Sequence, residues 1–203
     1  PSRFIRGGDS NQIHVLLHGF RSGYCDAIDA RVLTIDTTSD LVVSSTTLVG
    51  LKTCTAASRV DDTRFVVSCS GLGLVPIPGC VAHGGAGLTV LRERDGGLVE
   101  DRRFNSDELI DGQLSETVDT AFDSQIVFGS YGDKDQGRPD RWLTMNLNIG
   151  APSLVELARG GEFPFTLGDL ICEPRFSVCF GADSERKTIG CRSHFATHFR
   201  VLT

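Results

Sequence analysis

Apolar residues along this chain fall in short runs, and four of the runs end on a small residue: "HVLLHGF", "FVVSCSG", "IVFGSYG" and "SVCFGAD". Lining them up places Gly19, Ser70, Gly129 and Gly181 in one column, with spacings of 51, 59 and 52. A turn-rich stretch follows each run, and then a second run built around Leu-Thr: "RVLTID", "GLTVLRE", "RWLTMNL" and "FRVLT". Leu33, Leu88, Leu143 and Leu202 are spaced by 55, 55 and 59, in step with the first column. A third column, Leu48-Val49, Leu98-Val99 and Leu154-Val155, comes 10 to 15 residues after each Leu-Thr pair. Runs this short, rich in Val, Ile, Phe and Thr and bounded by Gly, Asp, Ser and Pro, predict strands. The polar tract 105–120, "NSDELIDGQLSETVDT", predicts a helical turn or a long loop instead.

Further inner strands are predicted at "SRFIRG", "TAASRV", "ETVDTAF" and "GDLICE", giving fifteen strands in four units, about 1–51, 52–103, 104–161 and 162–203, within a single domain. Units of this length holding about four short strands each predict an all-β fold, a β-propeller. At "QIVFGSYG" and "RFSVCFGAD" the chain resembles propellers of the kelch and galactose-oxidase kind, although the second glycine of that family's doublet is absent. Two arrangements are open: a four-bladed ring closed by its own ends, or the amino-terminal part of a larger ring completed by another chain or by residues following Thr203. "PSRFIRGG" resembles "PSLVELARGG" at 152–161, which makes the amino-terminal segment a candidate outer strand after Thr203.

Composition narrows the partners. A net charge of -6 and a pI near 5.3 argue against nucleic acid, whose affinity rests on clustered Lys and Arg. The densest basic piece, Arg92 to Arg103, is interrupted by four acids and predicts a solvated hairpin. The apolar runs are too short for a membrane-inserted helix, and this form shows no signal peptide. Pro1 without Met fits either Met trimming or cleavage of a longer precursor. Seven cysteines (25, 54, 69, 80, 172, 179 and 191) lean toward secretion, though there is no glycosylation sequon. Cys54 with Cys69, and Cys172 with Cys179, fall on consecutive predicted strands of one unit, and strand register decides whether they bridge.

Candidate chemistry is sparse. In "GDKDQGRPD", Asp133, Asp135 and Asp140 surround Gly137, a carboxylate set suited to calcium. The stretch "FGSYGDKDQGRPDRW" is similar to an integrin-type FG-GAP calcium loop, one residue short and lacking its third acid; a charged hairpin tip fits equally well. His14 and His18 share a strand face about 13 Å apart, too far for one metal. His18 shares its column with Cys69, Phe128 and Phe180, which predicts a core position between blades. His83, His194 and His198 follow the glycine column and are the candidates for a catalytic or metal-binding cluster at one face. No nucleophile elbow, phosphate loop or dinucleotide fingerprint is present, and no organic cofactor is expected. The leading functional expectation is a module binding a protein, peptide or glycan through loops on one face. The alternatives are a lyase or hydrolase acting on a polar substrate such as a glycan, and a structural subunit docked on a partner chain.

Overall fold

The computed structural model describes residues 3–7, 11–19, 28–71, 85–105, 109, 113–120, 124–131, 140–148, 153–159, 165–173, 178–189 and 192–202. Fifteen strands occur among them, in two compact units, Pro1–Glu108 and Leu109–Thr203.

The first unit holds β1 (Arg3–Arg6), β2 (Gln12–Leu17), β3 (Ala30–Asp36), β4 (Leu41–Leu48), β5 (Cys54–Arg59), β6 (Arg64–Cys69), β7 (Gly87–Arg94) and β8 (Gly97–Asn105). They form two antiparallel meanders, ordered β1-β2-β3-β4 and β5-β6-β7-β8. Period-two patterning gives each its packed face: in β3, Ala30, Val32 and Thr34 are buried while Arg31 between them is exposed. The sheets pack face to face in like order, β1 beside β5 and β4 beside β8. Between them lie Leu16, Val32 and Leu48 from the first sheet and Phe65, Val67 and Leu91 from the second, all at most 1% exposed.

Turn chemistry closes the hairpins tightly at one end. Asp95 (φ 51°) and Gly96 (φ 77°) form an Asp-Gly turn with both residues left-handed, the geometry that matches strand twist between β7 and β8. The Asp61 carboxylate accepts from the Thr63 amide at 3.0 Å and the Arg64 amide at 2.9 Å, fixing the β5–β6 turn. The Arg92–Arg103 stretch is indeed this hairpin, its charges paired as Arg92–Asp101 at 3.0 Å and Arg103–Glu100 at 2.6 Å.

The second unit holds β9 (Gln113–Thr120), β10 (Gln125–Tyr131), β11 (Arg141–Asn146) and β12 (Leu154–Arg159) in one meander. A three-stranded sheet of β13 (Phe165–Glu173), β14 (Val178–Ile189) and β15 (Arg192–Leu202) completes it. β9 lies beside β13, and the Asp119 carboxylate accepts the Cys172 amide at 2.8 Å between the two sheets.

Two expectations need correction. β1 pairs with β2, Arg3 opposite Leu16, so the amino-terminal segment is the first strand of the first sheet and not an outer strand following Thr203. The polar tract's second half, 113–120, is strand β9, which takes in most of the strand read at "ETVDTAF"; among the described residues of the tract Leu109 alone is helical, and it is buried. His198 stands inside β15 opposite Asp183, within a β14–β15 pairing that runs continuously from Cys179–Leu202 out to Ile189–Arg192.

Candidate functional site

The two ends of the first-unit sheets differ in kind. One end carries the short turns 37–40, 60–63 and 95–96; the other carries the connections after the second strands, 18–29 and 70–86, together with the crossover 49–53. Long connections at one end of a rigid frame are where binding residues concentrate.

The described bases of those connections are held by backbone. The Ile28 amide donates to the Gly19 carbonyl at 2.8 Å, closing the first connection, and Gly19 has φ +85° with Ile28's carbonyl so near that a Cβ would sit 2.2 Å from it. The crossover holds both ends of the second: the Gly71 amide donates to the Lys52 carbonyl at 3.1 Å, and the Lys52 amide donates to the Gly85 carbonyl at 3.0 Å. Gly85 has φ +101°, and a Cβ there would lie 2.4 Å from the Gly50 carbonyl oxygen. The crossover itself is anchored by Leu51, 1% exposed, whose carbonyl accepts the Ala30 amide at 2.9 Å. Its last residue, Thr53, is fully buried at φ 54°, a left-handed conformation that a β-branched residue rarely adopts. Beside it, Cys54 and Cys69 are directly opposed in register and joined by a disulfide. At this end Ile28 is exposed, and Asp29, Lys52 and His18 are half-buried. Burial holds the His18 imidazole below its ordinary pKa.

One polar constellation sits within the core. His14 is completely buried; its Nδ1 lies 3.1 Å from Thr34 Oγ1 and its Nε2 lies 2.8 Å from Glu93 Oε1 on the neighbouring sheet. A carboxylate oxygen accepts from Nε2–H, and the Thr34 hydroxyl can serve Nδ1 as donor or as acceptor. The ring meets Phe65 edge-on at 5.1 Å between centroids. With His14 fully buried and Thr34 only 1% exposed, the arrangement ties the two sheets together.

No protein-family model matches the chain, and no curated protein matches its sequence. Its structure is similar to the crystal structure of the β-propeller domain of Cps50 (Swd1) from Myceliophteria thermophila, with a TM-score of 0.54 at 9% identity. The match covers 88% of this chain and 46% of that one, so the chain spans about half the length of that domain. The fold is a β-propeller.

Each four-stranded meander is therefore a blade, and the end carrying the long connections is a blade-end surface of the kind from which propellers present variable loops. The likeness shows the fold and does not reach the kelch or galactose-oxidase type. Among the candidates, Asp140 is 8% exposed and directly precedes β11; Asp133, Asp135 and His83 lie outside the described residues. His194 and His198 are four residues apart on β15, opposite Lys187 and Asp183, which separates them by about 13 Å along one strand. His18 is half-buried just past β2, whereas the fully buried position between blades belongs to His14. His14 shares its repeat column with Phe65, the ring it touches, and this was the signal for a core role. Glu93 carried none, since it reads as one charge among several in a basic stretch. Cys172 and Cys179 are also directly opposed and bonded, while Cys25, Cys80 and Cys191 lie outside the described residues.

Proposed function

We propose that this chain is a binding module whose ligand, a protein, peptide or glycan, is taken up at the end of the blades that carries the connections following each second strand. One observation carries the reading: the crossover between the first two blades clasps both ends of the 71–85 connection through the Gly71, Lys52 and Gly85 backbone. A base built this way presents a variable segment at low ordering cost, because the flanking backbone is already fixed. At the opposite end the Asp36 and Asp61 carboxylates are spent on the backbone of their own tight turns. Two disulfides between opposed strands support placement in an oxidising, extracellular setting. A kelch-type assignment rests on "QIVFGSYG" and "RFSVCFGAD" alone.

Screening the chain against displayed peptide libraries and a glycan array, followed by amide exchange on the bound state, tests the reading. Ligands should protect amides around Ile28, Lys52 and Gly85. Ile28→Asp and Lys52→Glu should weaken binding at least tenfold, while Asp95→Asn at the opposite end should leave it unchanged. Protection confined to the short-turn end would overturn the assignment.

A further inference from the structure

The two disulfides among the described residues both bridge directly opposed strand positions, yet their surroundings differ. Cys54 and Cys69 are each 0% exposed, whereas Cys172 is half-buried beside a buried Cys179. A thiol must reach a sulfur before it can exchange with it, so solvent access ranks the two bonds by reactivity. Loop length ranks them the same way. Cys54–Cys69 closes a separation of 15 and Cys172–Cys179 one of 7, so opening the second returns less freedom to the unfolded chain and costs the fold less. Access and a small stability cost coincide on one bond, and together they let it open while the chain stays folded.

Cys172 also links two sheets. Its Cα lies 4.0 Å from that of Cys179, the close spacing of an opposed pair that shares no ladder hydrogen bonds, so its amide points away from β14. That amide donates to the Asp119 carboxylate on β9 at 2.8 Å, and β9 and β13 are the first strands of neighbouring sheets. One residue thus carries a covalent tie within its own sheet and a hydrogen bond to the next. The ladder around it is short: one described rung, Glu173 opposite Val178, follows toward the turn, and the register shifts between Leu167 and Leu170 on the other side. The sulfur bond is therefore a main restraint on this end of β13.

We propose that Cys172–Cys179 is a thiol–disulfide exchange site that reacts with a dithiol, and that its opening loosens β13 from β9. A thiolate of the dithiol attacks Cys172 Sγ, the end that solvent reaches, and forms a mixed disulfide. The protein's S–S bond breaks, and its electron pair leaves on Cys179 Sγ, which takes up a proton. The second thiolate of the dithiol then attacks its own sulfur in the mixed disulfide and releases Cys172, which is protonated in turn. Two electrons and two protons have passed to the protein, and the dithiol has become a disulfide. Cys54–Cys69, closed to solvent, stays intact throughout. Freed of the crosslink, the β13 end holds Asp119 through the amide alone, and that hydrogen bond opens more often.

Dithiothreitol applied to the whole oxidised chain under native conditions, with alkylation at intervals and peptide mapping by mass, reads the order of opening. Cys172 and Cys179 should be labelled at least tenfold faster than Cys54 and Cys69, with an unchanged far-ultraviolet spectrum. After that step the Cys172 amide should exchange with solvent at least tenfold faster, while the Val67 and Leu91 amides keep their protection. Two single variants locate the attacked sulfur: oxidised glutathione should capture Cys172 in Cys179→Ser at least tenfold faster than it captures Cys179 in Cys172→Ser. Equal labelling of the two pairs, earlier opening of Cys54–Cys69, labelling that keeps pace with loss of the far-ultraviolet signal, an unchanged Cys172 amide, or faster capture at Cys179 would each overturn the proposal.

Discussion

Glu93, itself part-exposed, reaches the fully buried His14 from the neighbouring blade. Removing the carboxylate leaves an imidazole N–H buried without a partner, at a cost of about 1–3 kcal/mol. Glu93→Ala should lower unfolding stability by that amount, and Glu93→Gln, which still offers an oxygen, should recover most of it in urea titration. Gly85 is constrained for another reason: its backbone is left-handed and a methyl would meet the Gly50 carbonyl at 2.4 Å. Gly85→Ala should cost roughly 1–3 kcal/mol, visible in the same titration. Acid sensitivity has a local source as well. Burial pushes the Asp61 carboxyl up, but the Thr63 and Arg64 amides and the Arg64 guanidinium outweigh it and hold the carboxyl below its ordinary value of 3.8. Thr38, through hydroxyl and amide, does the same for Asp36. A lowered folded pKa gives stability that is complete above the unfolded value and is lost as pH falls through the folded one. Asp61→Asn should therefore flatten the fall in stability below about pH 4, and a variant as acid-sensitive as the parent would refute this origin.

At the scale of elements, the repeat located strands better than it located their register. The Leu-Thr pairs lie on β3, β7 and β11, the third strand of each sheet, because a short β-branched run between turn residues has no other good conformation. Their partners on the second strand differ: Leu33 faces Val15, Leu88 faces Ser68 and Leu143 faces Phe128. Side chains alternate with period two, so a slip of one or three residues exchanges the buried and open members of the pair. Thr34 is accordingly buried beside a half-buried Leu33, whereas Leu143 is buried beside a half-buried Thr144. The Leu-Val column slipped further: Leu98 and Leu154 begin β8 and β12, but Leu48 ends β4, where the counterpart at the strand's start is Leu41-Val42. Turn lengths set that offset, and turn lengths vary independently of the apolar pattern. Register also decided the cysteines. Cys54–Cys69 closes the open end of the β5–β6 hairpin over a separation of 15, and Cys172–Cys179 lies next to the β13–β14 turn over a separation of 7. Loop-closure entropy makes the first worth more, about 3 kcal/mol. Paired alanine replacement at Cys54 and Cys69 should lower the melting temperature more than the same change at Cys172 and Cys179, measured by calorimetry.

At the scale of the molecule, a pair of packed blades is a unit that buries a core of its own. A cluster of buried apolar residues, from Ile5 to Leu98, falls within the first unit, and so do the His14–Glu93 tie and the Thr46–Leu98 hydrogen bond. A stretch of about a hundred residues buries on the order of 60–70% of its unfolded surface, enough for a marginally stable body. The fragment 1–108 should therefore fold without the rest of the chain. Its amide spectrum should be dispersed, with slow exchange at Val67 and Leu91, and Cys54 and Cys69 should oxidise to one product. Propeller blades stack like repeats, each resting on its neighbours, which lets two adjacent blades retain their mutual face when others are removed. Collapsed spectra from the fragment would show instead that folding needs all four blades at once, so that cooperativity belongs to the array and not to the pair.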